Sequence, residues 1–157
     1  MNNCDFSPCR QYRYTLWHRW ADGPHCQFVG LNPSTADETQ LDPTLRRCVQ
    51  YAKDWGYSAL CMTNIFAFRA TDPRDMKART DPVGDENDFF LRDVAKDAGI
   101  IIAAWGTHGA HMGRAALVVE FMPPMHALKI TQHGHPGHPL YLRRDARPVP
   151  YRHPEAA

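Results

Sequence analysis

Four short apolar segments of this sequence each run directly into polar residues that could bind or activate a ligand. An asparagine side chain carries a hydrogen-bond donor and an acceptor, so it can recognise an amide-like edge such as that of a nucleobase, or position a water molecule. A histidine can donate a hydrogen bond to an oxygen that gains negative charge. Together these groups suit a hydrolysis in which the leaving group takes the charge. The four polar clusters are Asn32-Pro33-Ser34, Thr63-Asn64, Trp105-Gly106-Thr107-His108, and the histidine-rich stretch 133–138 that ends in His138.

Other common catalytic signatures are absent from the sequence. It contains no GxSxG nucleophile elbow, no Walker motif and no dinucleotide fingerprint. The five cysteines form no CxxC pair, so neither a disulfide framework nor a structural zinc site is indicated. Cys61 lies three residues before Asn64, and we expect it to be buried. No nucleophile is therefore predicted.

Hydrophobic periodicity predicts the elements that position these clusters. Residues 13–20 and 27–31 read as a β-hairpin, because a turn signal separates them. Asp42 can cap a helix that begins at Pro43 and keeps apolar residues at helical spacing. The predicted order is β-β-α-β-α-β-α-β. The other predicted elements are helices over 87–98 and 108–121 and strands over 58–62, 100–105 and 127–131.

This order predicts an α/β fold of a defined type. Strands separated by helices favour a three-layer α/β/α sandwich with a mainly parallel core sheet of about four strands, plus an antiparallel N-terminal hairpin strand. Ligands of such sheets bind beyond the carboxyl ends of the strands. The four polar clusters should therefore meet at one edge. We expect one domain over 1–142 and a basic tail, rich in proline and arginine, over 143–157.

The composition is that of an ordinary globular protein. Hydrophobic residues make up 43% and charged residues 22% of the chain, and the net charge is +1. This charge argues neither for nor against a nucleic-acid partner. No apolar run approaches membrane-spanning length, so we expect no membrane association and a cytoplasmic location.

The order of the motifs resembles that of the uracil-DNA glycosylase superfamily over about residues 27–142. Gly30-Leu31-Asn32-Pro33 is similar to the motif that ends the superfamily's first core strand, in the asparagine variety of the mismatch-specific and thymine-DNA glycosylase branch. Thr63-Asn64-Ile65-Phe66, with Arg69 beyond it, is similar to the base-reading strand end. Trp105-Gly106 resembles a Leu-Gly strand end, and His138-Pro139-Leu140-Tyr141 occupies the place of a His-Pro-Ser motif.

The resemblance implies that the matched residues release a base from its sugar after taking it out of the stack. Asn32 would orient water near the sugar C1′, Asn64 would read the base edge, and His138 would stabilise the anionic leaving base. Leu140 or Tyr141 would fill the vacated stack. The expected partner is a nucleic acid, with DNA favoured, or a nucleotide. The remaining implied substrate contacts are Ser34, Phe66 and Arg69.

The sequence also departs from this superfamily. Leu140 stands where serine usually follows the His-Pro step. Phe68 stands where the iron–sulfur branches place a cluster cysteine, so we expect no cluster, no other cofactor and no metal. The aromatic residue that stacks on the base has no direct match, and Phe66 replaces it by type only. The chain also resembles an uncharacterised bacterial and phage family, a domain of unknown function of the DUF1643 type.

Simpler explanations compete for the same residues. Asn32 can be a turn residue before proline, Asn64 can cap its loop, and His138 can be a solvated loop histidine. The principal alternative function is a non-catalytic nucleic-acid or nucleotide binding module of the same fold. A metal-dependent hydrolase that uses His133, His135 and His138 is the weaker alternative, because no nearby carboxylate completes a ligand set. Residues without a counterpart in the superfamily, whose role stays open, are Asp42, Arg46 and Arg47.

Overall fold

Two apolar segments are buried along their whole length and form the centre of one sheet. In the computed structural model, which describes residues 2–155, these segments are β3 (His25–Gly30) and β4 (Ala59–Asn64). They pair in parallel, with Gly30 opposite Asn64. β5 (Ile100–Ala103) pairs in parallel with the other edge of β3. The strand ends that precede three of the polar clusters therefore lie side by side.

Four further strands extend this centre to seven strands in the described part of the chain. β2 (Arg13–Arg19) runs antiparallel to β4, and β1 (Asn3–Phe6) runs antiparallel to β2. On the other side, β6 (Met125–Ala127) pairs in parallel with β5, and β7 (Val149–Tyr151) closes the sheet antiparallel to β6. The spatial order is β1-β2-β4-β3-β5-β6-β7.

The predicted sandwich with a mainly parallel sheet of about four strands and one antiparallel hairpin strand is wrong. The sheet is mixed, since three of its six pairings are antiparallel. The predicted hairpin also does not form, because β4 lies between β2 and β3. A buried strand must satisfy backbone groups on both edges, and β4 does so by separating two segments that are neighbours in sequence. β1 and β7 are short and half-exposed edge strands, so they lack the apolar alternation that reveals a strand.

The first helix begins where its cap predicts. Asp42 accepts a hydrogen bond from the Leu45 backbone N–H at 2.9 Å and caps α1 (Pro43–Asp54). A short α2 (Pro73–Ala78) and α3 (Asn87–Ala95) follow. The predicted helix over 108–121 is broken, because Met112 and Gly113 have φ values of 58° and 64°. A 3₁₀ segment (Thr107–Gly113), interrupted by non-helical backbone at His111 and Met112, therefore precedes α4 (Arg114–Phe121). A second 3₁₀ helix spans Pro139–Tyr141.

The helices cover both faces of the sheet. On one face, α1 places Leu45, Cys48 and Ala52 against Phe28 and Ile102. Successive strand residues point to opposite faces, so Val29 and Ile101 pack instead with side chains of α3 and α4, such as Leu91 and Val118. Both faces of the sheet are therefore covered by apolar side chains, and the chain is an α/β protein.

Candidate functional site

The carboxyl ends of β3, β4 and β5 open into a crevice of about 760 Å³. The start of α1 forms one of its walls, and residues 137–141 form another. A crevice of this volume is in the range that holds a small organic ligand. The residues from the predicted site that line it are Asn32, Ser34, Asn64, His138, Leu140 and Tyr141.

Asn32 lies two residues after the end of β3, and hydrogen bonds from its side chain hold it in place. Its Nδ2 donates to the carbonyl oxygen of Ala70 at 2.8 Å and to that of Pro33 at 3.2 Å. These bonds fix the amide, and its Oδ1 has no protein donor among the described residues. Asn32 can therefore accept a hydrogen bond from water or from a ligand in the crevice.

Asn64 ends β4 and is 1% exposed. Its Nδ2 is buried and has no hydrogen-bond partner in the described part of the chain. Gly30 makes room for this side chain, since a Cβ atom there would lie 2.8 Å from Asn64 Oδ1 and 2.7 Å from Met62 Cε. An unpaired buried donor beside a crevice costs free energy until a ligand acceptor reaches it.

Two buried polar side chains behind the sheet hold the end of β4. Asn87 Nδ2 donates to the carbonyl oxygens of Asn64 at 2.9 Å and Ile65 at 3.2 Å. Arg114 Nε donates to Ile65 O at 2.8 Å, and its Nη2 pairs with Asp88. Neither residue was predicted from the sequence, because an asparagine at the start of a helix resembles an ordinary cap. Their bonds fix the backbone from which the Asn64 side chain projects.

His138 is half-buried, and its side chain hydrogen-bonds to the backbone of its own segment. Its Nδ1 accepts a hydrogen bond from the Leu140 backbone N–H at 3.2 Å. Burial lowers the pKa of the His138 imidazole below its ordinary value, while the Asp42 carboxylate acts in the opposite direction. A neutral imidazole whose Nδ1 accepts carries its proton on Nε2. His138 can thus donate one hydrogen bond from Nε2.

The rim of the crevice carries apolar and hydroxyl groups. Leu140 is exposed and Tyr141 is 83% exposed, and both belong to the second 3₁₀ helix. Ser34 Oγ lies 3.3 Å from Thr71 Oγ1 on the opposite side. Large side chains at the mouth can contact a ligand that protrudes from the crevice.

Two residues of the predicted site lie outside the lining of the crevice. Phe66 is fully buried in the core on the α3 and α4 face, with its ring 5.6 Å from that of His111. The Arg69 guanidinium lies 4.9 Å from the centre of the Phe6 ring, and its Nε donates to Ser34 O at 3.3 Å. Arg69 therefore contacts the backbone of the loop after β3, and Phe66 packs in the core.

The structure adds one charged residue that the sequence did not suggest. Arg13 begins β2, lines the crevice and is 2% exposed. An arginine in a half-polar segment normally lies on the surface, so no sequence signal reveals its burial.

The arginines at the start of α1, whose role was open, lie beside the crevice. Arg47 donates to the carbonyl oxygen of Leu142, and its guanidinium lies 5.5 Å from the centre of the Tyr51 ring. Arg46 is exposed and lines a smaller groove together with Arg144. Arg47 thus holds the segment after the second 3₁₀ helix against α1.

Neither a group of metal-ligating side chains nor a membrane-spanning helix is found between residues 2 and 155. Within this range, no three histidine, cysteine, aspartate or glutamate side chains are grouped so that they could hold a metal ion. The histidine-rich stretch 133–138 therefore does not supply a ligand set by itself. No described helix is both long enough and apolar enough to cross a membrane.

Comparison with known proteins yields one match. The model of a family described as a protein of unknown function, DUF1643, matches residues 13–140. No curated protein and no solved structure matches the chain. The matched range includes all the crevice residues described above except Tyr141.

Proposed function

We propose that this chain, which belongs to the DUF1643 family of proteins of unknown function, is an N-glycosidic hydrolase that acts on a nucleobase. Its substrate would be a modified base in DNA or in a nucleotide, and its action would resemble that of the uracil-DNA glycosylase superfamily. The observation that carries this proposal is the convergence of Asn32, Asn64 and His138 on one crevice. They come from three separate segments and supply complementary groups.

Each of the three side chains has a free group suited to one part of the reaction. Water attacks the sugar C1′, the bond from C1′ to the base nitrogen breaks, and the bonding electrons leave with the base. The proton that the water loses passes through solvent and ends on the released base anion. Asn32 Oδ1 can accept a hydrogen bond from the attacking water, since its Nδ2 is already engaged. His138 Nε2 can donate to the base oxygen on which charge develops.

Asn64 supports recognition of the base. Its buried amide has an unpaired Nδ2, so a base carbonyl would satisfy a donor that otherwise lacks a partner. A site that hydrogen-bonds one pattern of base edge rejects bases that leave its polar groups unpaired. Leu140 and Tyr141 at the rim are placed to contact the neighbours of an extruded base.

The decisive experiment is an assay of base release with matched variants. Wild-type protein is incubated with duplex and single-stranded DNA that contains uracil or another altered base, and with the corresponding nucleotides, and free base is quantified by chromatography. Asn32→Ala and His138→Ala should keep their circular dichroism spectra but lose about 100-fold or more in rate. His133→Ala changes an exposed histidine outside the crevice and should match wild type.

Wild-type protein that releases no base from any of these substrates would overturn the hydrolase proposal. The same conclusion would follow if Asn32→Ala and His138→Ala released base at the wild-type rate.

One observation favours a second candidate, a nucleobase-binding module without turnover. Asn32 cannot take a proton from water, and Asp42, the acidic residue among the described lining of the crevice, accepts the backbone N–H of Leu45 as a helix cap. Binding of a substrate without release of its base would distinguish this function from hydrolysis. Salt should weaken that binding if phosphate groups contribute to it.

A further inference from the structure

Arg13 is a buried cation that the chain itself does not neutralise. Its Nη1 donates one hydrogen bond, to the carbonyl oxygen of Ala36 at 2.9 Å. Its Nε is buried without a partner among the described residues. No carboxylate in the described range lies within ion-pair distance of its guanidinium, although five other ion pairs are found there. A charge buried in this way costs several kcal/mol unless something compensates it.

The neighbours of Arg13 do not provide that compensation. Burial raises the pKa of the Cys4 thiol to about 11 and that of the Cys61 thiol well above its usual range, so both are uncharged at neutral pH. Arg69 is a further positive charge nearby. The charge of Asp42 favours the charged form of Arg13, but this carboxylate caps α1 and lies beyond ion-pair distance of the guanidinium. Burial lowers the pKa of Arg13 to about 10, which leaves it charged at neutral pH.

A second unpaired donor lines the same crevice. Asn64 Nδ2, like Arg13 Nε, is buried without a partner in the part of the chain that the structure describes. The other buried arginine, Arg114, has both a carboxylate and a carbonyl partner and does not line the crevice. Trp105, whose Nε1 is also buried and unpaired among the described residues, lines the crevice too, whereas Arg47, with an unpaired Nε, does not. Within the crevice, a ligand could supply the missing acceptors.

We infer that the crevice binds its ligand through an anionic oxygen-bearing group placed against Arg13, with Asn64 as a second donor to the same ligand. Two sources share this chemistry. One is the phosphate of a nucleotide, and the other is a nucleobase that carries negative charge on its oxygen atoms. An arginine presents several N–H groups in a planar fork and suits either group. The inference concerns binding alone, so it can hold whether or not the chain hydrolyses its ligand.

Binding titrations by calorimetry at low salt separate the two sources. The probes are deoxyuridine, deoxyuridine 5′-monophosphate, uracil, and 5-nitrouracil, a base that is anionic at neutral pH. Wild-type protein should bind at least one anionic probe more tightly than its neutral counterpart. A preference for the monophosphate over deoxyuridine identifies the phosphate as the anion, and a preference for 5-nitrouracil over uracil identifies the base.

Arg13→Met tests whether that preference comes from the buried cation. The variant should lose about 10-fold to 100-fold in affinity for the preferred anionic probe and little for its neutral counterpart, because only the anion uses the charge. Its unliganded melting temperature should equal or exceed that of wild type, since an uncompensated charge has been replaced by an apolar side chain. Arg114→Met is the matched control and should melt at a lower temperature, because the buried carbonyl oxygen of Ile65 loses a hydrogen-bond donor.

Three results would overturn the inference. One is a wild-type protein that binds none of the four probes or does not distinguish anionic from neutral ones. Another is an Arg13→Met variant that binds the anionic probe as tightly as wild type does. The last is an Arg13→Met variant that melts at a lower temperature and loses affinity equally for neutral and anionic probes. That result would show that Arg13 stabilises the fold through its hydrogen bond to Ala36 O.

Discussion

At the scale of single residues, one backbone hydrogen bond determines which ring nitrogen of His138 carries the proton. Leu140 N–H donates to Nδ1 of His138, which leaves Nε2 as the position for the imidazole proton. Burial favours the neutral ring and lowers its pKa. The sequence suggested His138 from its place before proline, but a loop histidine in solvent would have the same sequence. Only the local turn and the degree of burial determine which nitrogen can donate.

The lowered pKa of His138 predicts how stability responds to acid. A group whose pKa is lower in the folded state stabilises the fold fully above its unfolded-state pKa of about 6.5, and this contribution is lost as the pH falls below that value and through the lower folded-state pKa. The free energy of unfolding should therefore fall as the pH drops below about 6.5. His138→Gln should reduce this slope in urea titrations at several pH values.

His18→Gln is a useful control for this experiment. Burial also lowers the pKa of His18, and this residue does not line the crevice. The variant should flatten the pH dependence of stability without changing ligand affinity. A His138→Gln variant whose stability runs parallel to wild type over this pH range would contradict the assignment of a buried, neutral imidazole.

At the scale of elements, the ends of strands are fixed by side chains from helices behind them. Asn87 at the start of α3 and Arg114 at the start of α4 both donate to carbonyl oxygens at the end of β4. Asp42 likewise caps α1, whose first turn forms a wall of the crevice. The predicted site residues Asn32 and Asn64 lie after and at the end of a strand, but the groups that hold the backbone of β4 lie in helices. Sequence reasoning found Asp42 from its capping pattern and missed Asn87 because its partners are distant in sequence.

The Asn87→Ala variant tests whether the Asn87 side chain holds the end of β4. We expect a loss of about 1–2 kcal/mol in the free energy of unfolding, because two buried carbonyl oxygens lose a donor. We also expect weaker binding of the probe that wild-type protein prefers, since the backbone of Asn64 loses the hydrogen bond from Asn87 and is held only through Arg114 at Ile65. Urea unfolding and calorimetry measure the two effects.

Phe89→Ala is the matched control on the same helix. Its side chain is exposed, so stability should stay within about 0.5 kcal/mol of wild type and binding should be unchanged. If Asn87→Ala lost stability but bound ligand as wild type does, Asn87 would support the fold without positioning Asn64.

At the scale of the whole molecule, the C-terminal segment completes the sheet. The sequence predicts a basic tail over 143–157, and within this range β7 pairs with β6. Tyr151 is buried, its ring stands edge-on to Trp105 at 5.7 Å, and its hydroxyl donates to Gly134 O at 3.3 Å. Trp105 lines the crevice, so the C-terminal strand packs behind a residue of the candidate site.

Tyr151→Ala should lower the free energy of unfolding by about 3 kcal/mol, because a large buried ring is removed from the core. Urea unfolding followed by tryptophan fluorescence measures the change. Val149→Ala alters an exposed side chain of the same strand and should have an effect of less than about 0.5 kcal/mol. Equal stability of the two variants would show that β7 is docked only weakly.

The sequence by itself determined the local elements and where several of them stop. Alternation and helical spacing located the segments that became β3, β4, β5 and α1, and an aspartate followed by proline located the start of that helix. These features depend on contacts within a few residues, which a single sequence records directly. The placement of Asn32 and Asn64 near the ends of two strands followed from the same local signals.

Only the tertiary structure decided which strands are neighbours and which side chains are buried. β4 separates β2 from β3 although the sequence favours a hairpin between them, because a strand buried on both edges takes partners from distant parts of the chain. In the same way, Phe66 packs in the core, while Arg13 becomes a buried cation beside the crevice. Burial depends on all the elements that surround a residue. Residue type and spacing therefore cannot specify it.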